Sequence, residues 1–187
     1  VNGVATLTGI KLVTAGTRAL YVTEQDNAAP SLSPATTRYV TVAPGNPTRL
    51  RVLLPPEARV PGSTASTGRT NPGYTTQAGP VFTFPVIVDI TDANWNLTPG
   101  ASQEIRLYSP DDPFAVIVPT VQVVTTSATY RVFFKRAGAS VLTAKMTAAV
   151  PPWGPSVALD SATPVTVLPG IPTRLLTIFS PGESFSQ

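Results

Sequence analysis

No cysteine and no histidine occur in this chain of 187 residues. The first absence excludes disulfides, thiol nucleophiles and thiolate metal sites. The second removes the side chain most often used as general base and metal ligand near neutral pH. Charge is scarce as well: Asp, Glu, Lys and Arg make up 12% of the residues. Basic residues outnumber acidic ones 13 to 10, and only Lys11, Lys135 and Lys145 are lysines. They are scattered, with no basic run and no basic–aromatic platform, which argues against nucleic acid as a partner. No apolar run approaches the ~20 residues of a bilayer-spanning helix, so no membrane span is expected. Helical periodicity is missing too, and proline recurs too often for long helices.

What the chain does have is 21 Pro, 13 Gly and 42% hydrophobic residues, enough for a real core. β-Branched and aromatic runs are bounded by Pro, Gly, Asn and Asp, the pattern of short strands between turns. Strands are expected near 4–12, 17–24 and 36–43, then 49–54, 81–90, 103–109, 114–124, 127–135, 139–146 and 161–168, with another near 173–179. In 81–90, Phe82, Phe84, Val86, Val88 and Ile90 fall on one face; Ile87 interrupts the polar face opposite, which predicts partial cover there. In 127–135, Tyr130, Val132 and Phe134 share a face, and in 139–146 so do Leu142, Ala144 and Met146. One apolar face per strand calls for a second sheet about 10 Å away. The expected fold class is all-β, built as a β-sandwich.

The chain also repeats itself. Pro44-Gly45-Asn46-Pro47-Thr48-Arg49-Leu50 returns 125 residues later as Pro169-Gly170-Ile171-Pro172-Thr173-Arg174-Leu175, and Thr41-Val42 returns as Thr166-Val167. Ala15-Gly16 returns 122 residues later as Ala137-Gly138. The drift of three fits a surface-loop insertion. Residues 1–48 then read as the back half of one repeat, 49–172 as a complete repeat, and 173–187 as the opening strand of the next or a donor segment. The Pro-, Ser- and Thr-rich stretch 55–80 shows no alternation and reads as a long surface loop at the junction, with a lateral contact surface or an O-glycosylated patch as the functional alternatives.

The run Val86-Ile87-Val88-Asp89-Ile90-Thr91-Asp92-Ala93-Asn94-Trp95-Asn96-Leu97-Thr98-Pro99-Gly100 ends a strand in an Asp-x-x-x-Asn turn, and Glu104-Ile105-Arg106-Leu107-Tyr108-Ser109 follows as the next strand. Ala137-Gly138-Ala139-Ser140-Val141-Leu142-Thr143-Ala144 and its earlier copy Ala15-Gly16-Thr17-Arg18-Ala19-Leu20-Tyr21-Val22 form a second pattern, closed by Val165-Thr166-Val167-Leu168-Pro169-Gly170. In order and spacing these segments resemble the bacterial Ig-like repeats of invasin- and intimin-type surface proteins. The chain departs from them in the long 55–80 stretch and at Trp95, where glycine is commoner. The resemblance implies Ig-like sandwiches in tandem, in an extracellular stalk, adhesin or filament, with copies of itself or adjacent repeats as partners.

Asp89, Asp92, Asn94 and Asn96 form an oxygen-rich cluster, with Asp111 and Asp112 further on. Clustered Asp and Asn are calcium ligands, and equally caps for a turn through their own backbone; both readings stand. Trp95, and Trp153 within Pro151-Pro152-Trp153-Gly154-Pro155, are candidates for glycan contact or for plugging a sandwich end. Asn96-Leu97-Thr98 is an N-glycosylation sequon weakened by Pro99. No catalytic constellation emerges, since abundant Ser and Thr lack a base, and no enzyme activity is expected. A carbohydrate-binding accessory module using the tryptophans is the alternative to a structural role. Leu20, Val22, Val40 and Val42 put an apolar face on the half repeat, which predicts cover from outside residues 1–48, in cis or from a neighbouring subunit.

Overall fold

The computed structural model describes residues 6–23, 33–63, 67–100, 102–147, 160–161 and 164–174. These form an all-β structure whose single short helical turn is Pro80–Phe82. Among the described residues no helix is long and apolar enough to cross a membrane.

Fifteen strands follow in chain order. The first four are β1 (Gly16–Arg18), β2 (Tyr21–Val22), β3 (Ala35–Thr36) and β4 (Val40–Val42). Then come β5 (Arg49–Leu53), β6 (Tyr74–Gln77), β7 (Phe84–Thr91), β8 (Gln103–Tyr108), β9 (Val116–Val118), β10 (Val121–Val124) and β11 (Ser127–Phe133). The last four are β12 (Gly138–Ser140), β13 (Thr143–Met146), β14 (Asp160–Ser161) and β15 (Val165–Leu168).

From β5 onward the strands make a β-sandwich. One sheet has the order β5-β7-β11-β9, the other β10-β8-β13-β14, and a small third sheet, β12-β15-β6, borders them. Alternation decides what each strand buries. Phe84, Val86, Val88 and Ile90 of β7 enter the core with Leu50 and Val52 of β5 and Tyr130 and Val132 of β11. Ile105 and Leu107, Val124, Ala144, and Val165 with Val167 meet them from the other sheets. Each such side chain contributes roughly 1.5–3 kcal/mol by leaving water. Tyr130 reaches across the core and donates its hydroxyl to the Ile105 carbonyl at 2.9 Å. That satisfies the one polar atom its ring brings inside.

The strands expected between 49 and 168 are recovered, with breaks that have local causes. The run 114–124 is two strands in different sheets, because Pro119 has no N–H to continue a ladder. The run 139–146 also changes sheets, between β12 and β13. Phe82 lies in the helical turn rather than in β7. Residues 6–12 of the expected strand 4–12 are not extended in any ladder, and Gly9 sits there at φ 77°, outside the strand region. Residues 175–179 of the last expected strand lie outside the described residues, and 173–174 belong to no strand among the described residues.

The stretch 55–80 corrects the reading of it as a plain surface loop. Its end is β6, which pairs parallel to β15 in the register Val165↔Tyr74 to Leu168↔Gln77. Its start doubles back, with Val60 donating to the Gly68 carbonyl and Thr70 to that of Ala58. Gly68 and Arg69 are buried over the outer face of β5 and β7, the face that Ile87 marks as covered.

The repeat is visible in the pairing itself. β1 pairs with β4 through Gly16↔Val42, Thr17↔Thr41 and Arg18↔Val40. β12 pairs with β15 through Gly138↔Val167, Ala139↔Thr166 and Ser140↔Val165. β2 pairs with β3 through Tyr21↔Thr36 and Val22↔Ala35, and β13 with β14 through Thr143↔Ser161 and Ala144↔Asp160. Every pair in the first set maps onto the second with the offsets of 122 and 125 read in the sequence. Gly16 and Gly138, which open the two copies, share a left-handed φ of 107° and 127°.

Candidate functional site

β7 ends at Thr91, and the chain turns back through Asp92–Asn96. The turn closes on itself: Asp92 donates its N–H to the Asn96 carbonyl at 3.0 Å, and Trp95 donates to the Asp92 carbonyl at 3.1 Å. Asp92 Oδ1 accepts the N–H groups of Asn94 at 2.8 Å and Asn96 at 3.0 Å. Asp92 Oδ2 accepts Asn96 Nδ2 at 2.9 Å. Trp95 takes a left-handed φ of 63°, an uncommon conformation for a bulky residue, held here by these bonds.

The same side chains reach outward to the segment that carries β1 and β4. Gly45 donates its N–H to Asp92 Oδ2 at 2.8 Å. Asn96 Oδ1 accepts the Ala15 N–H at 2.9 Å, and Asn96 Nδ2 donates to the Val13 carbonyl at 2.9 Å. One carboxylate and one carboxamide thus hold both strands of the β1–β4 pair to the turn, at the end where Gly16 faces Val42. Burial alone would push the Asp92 carboxyl up. The Asn96 amide and the N–H groups of Gly45, Asn96 and Asn94 outweigh it and hold Asp92 below the usual carboxylate range. Gly62, from the stretch after β5, also binds the turn, donating to the Asn94 carbonyl at 2.7 Å. It lies so close to Thr14 that a Cβ would come within 1.9 Å of the hydroxyl oxygen.

Behind the turn lies a buried ion cluster. Asp89 projects from β7 away from the core and meets Arg51 of β5, both fully buried. Arg51 Nε and Nη2 reach Asp89 Oδ2 at 3.1 and 2.6 Å. Arg59 adds bonds of 2.9 Å to each carboxylate oxygen, and the Ser127 hydroxyl donates to Oδ1 at 2.7 Å. Burial again opposes ionisation, and the Arg59, Ser127 and Arg51 donors win, so Asp89 is also held low. Arg51 Nη1 donates to the carbonyls of Gly68 at 2.9 Å and Trp95 at 3.0 Å, tying strand, covering loop and turn together.

The four residues considered for calcium therefore belong to two networks. Asp89 faces two guanidinium groups, while Asp92, Asn94 and Asn96 form the turn and joint. Asp111 and Asp112 serve the opposite pole. Asp112 Oδ2 accepts the N–H groups of Lys135 at 2.7 Å and Arg136 at 2.9 Å, and Asp111 accepts that of Val141 at 2.9 Å. Among the described residues no three His, Cys, Asp or Glu side chains converge on a metal position.

Of the two readings given for Trp95, its burial matches that of a packed side chain. It is 8% exposed, lies against Gly68, where a Cβ would sit 2.3 Å from its ring, and carries the Arg49 guanidinium 4.7 Å from its centroid. Trp153 lies outside the described residues. Leu20, Val22, Val40 and Val42 sit on β1–β4 and the turn between β1 and β2; Val22 and Val40 are exposed and Leu20 and Val42 half-buried. Lys145 stands over the Tyr108 ring, 5.4 Å from its centroid. Arg51 and Arg59 escaped the sequence reading, and the available signal was Asp89 itself, an acid within an apolar strand and so in need of a buried partner.

No described protein family and no curated protein matches the chain. Among solved structures it is similar to domains 4 and 5 of the S-layer protein SbsC, at 18% identity and a TM-score of 0.37, over 82% of this chain and 58% of that one. It is also similar to SbsC domains 1–6, at 17% identity and a TM-score of 0.39, over 84% of this chain and 17% of that one.

Proposed function

We propose that the chain is a section of a tandem array of Ig-like β-sandwich repeats with a structural role at a bacterial cell surface, as stalk, fibre or surface layer. In this reading residues 1–48 are the back half of one repeat, 49–172 a complete repeat and 173–187 the opening of another. The duplicated register carries it: β1–β4 repeat the pairing of β12–β15 residue for residue. In the complete repeat β13 pairs with β8 and β15 with β6. Among the described residues nothing pairs with the corresponding edges of β2 and β4. Open edges of this kind recruit strands. Their cover comes from the front half of a preceding repeat or from a neighbouring copy, and head-to-tail completion between copies builds a filament.

Sedimentation velocity over a range of concentrations tests the reading. The chain 1–187 is expected to associate as concentration rises. A longer chain, with residues 49–122 placed ahead of Val1 to supply the missing front half, is expected to remain monomeric. A 1–187 chain that stays monomeric throughout overturns the reading. The intact mass of the native polypeptide then separates the two modes: near 19.5 kDa for exchange between subunits, much larger for a covalent array.

A further inference from the structure

At the first joint, two N–H groups of the half repeat, from Ala15 and Gly45, bind the Asp92–Asn96 turn. The shared register says where their equivalents lie in the complete repeat. Ala15 precedes Gly16 as Ala137 precedes Gly138, and Gly45 is the third residue after Val42 as Gly170 is after Val167. The equivalent of Val13, whose carbonyl accepts from Asn96, is Lys135.

Lys135, Ala137 and Gly170 meet at the far pole of the sandwich, in the wall of an open cleft of about 540 Å³. The N–H groups of Ala137 and Gly170 donate to no described residue. Lys135 and Arg136 bring positive charge to the cleft, and the exposed ring of Phe114 borders it. Where the first joint has Thr14 the second has Arg136, whose guanidinium folds away onto the Asp111 carbonyl at 3.3 Å.

Resting on the tandem reading, we propose that this pole is a docking surface for the Asp-x-x-x-Asn turn of a following copy of the repeat. The incoming carboxylate takes the Gly170 N–H, and the carboxamide takes the Ala137 N–H while donating to the Lys135 carbonyl. The first joint supplies the geometry, and the cleft supplies two donors without a partner among the described residues and charge of the opposite sign to the aspartate. Phe114 and the exposed Ile171 give the joint an apolar rim.

The test is a lengthened chain in which residues 1–172 are followed directly by a second copy of 48–187, joined within the shared Pro-Thr-Arg-Leu segment. Amide exchange is read by NMR at Ala137 and Gly170 in this chain and in 1–187. A hydrogen bond from Gly170 to the carboxylate and from Ala137 to the carboxamide predicts slower exchange of both in the lengthened chain, by about tenfold or more at Gly170, whose acceptor is charged. Asp92→Ala with Asn96→Ala in the second copy alone is expected to restore the faster exchange. A second copy that is folded, with protected core amides, but leaves Ala137 and Gly170 exchanging as before overturns the docking site and spares the tandem reading. A second copy that fails to fold when joined in this register overturns the tandem reading, and the docking site with it.

Discussion

Val40 and Val165 hold the same place in their respective strand pairs, yet 47% of the first is exposed and none of the second. Val22 and Ala144 differ in the same way, at 53% and 0%, and so do Tyr21 and Thr143, at 75% and 7%. Sequence and pairing are alike in the two regions; the neighbours are not. β13 and β15 each have a further strand beside them and a sheet across the core, whereas among the described residues β2 and β4 have one partner apiece. Local sequence is thus enough to set the register of a hairpin, and burial is supplied by what lies across from it.

Truncating matched core positions should break the likeness most sharply. Leu142→Ala is expected to cost about 2–5 kcal/mol, because a fully buried leucine leaves a cavity in the core. Leu20→Ala, at the equivalent half-buried position, is expected to cost about 1 kcal/mol or less. Denaturant unfolding of the two variants measures the gap, and equal losses would mean that the half repeat is sealed.

Acid should sharpen the contrast at the joint. The Asp92 and Asp89 carboxyls are held low in the folded state, so the stability they contribute is present above the unfolded carboxylate value of about 3.9 and is lost as pH falls through their lower folded values. Exchange at the Ala15 and Gly45 amides, corrected for its intrinsic pH dependence, should rise in that window before the core opens. Asp92→Asn should remove this joint-specific step. The smallest effect is expected of Tyr21→Thr, which gives the open region the residue carried by its closed counterpart Thr143. Thermal unfolding should move by less than about 0.5 kcal/mol, since this side chain is exposed.

The parts of the fold that were legible in the sequence were those written as alternation. β7, β8 and β11 place Val86, Ile105 and Tyr130 inward as their period of two requires. β6 was hidden because Tyr74-Thr75-Thr76-Gln77 has no apolar alternation and owes its extension to pairing beside β15. Asp92 and Asn96 were legible as a turn through their spacing. Their reach to Gly45 and Val13 was not, because those contacts join positions 47 and 83 residues apart. Asp89 was a lone acid between Val88 and Ile90, Arg51 one of two arginines alternating along β5, and only the register that places Arg51 opposite Asp89 makes them a pair.

The parallel pairing of β15 with β6 bears on how this chain would respond to a pull along its length. Tension that enters beside Thr48, next to the Asp92 turn, and leaves at Pro169, next to Ala78, runs along the strands. Pulled this way, the evenly spaced bonds of β15 are strained together in shear instead of being unzipped one after another. A pull applied there would load all four β15–β6 pairs at once.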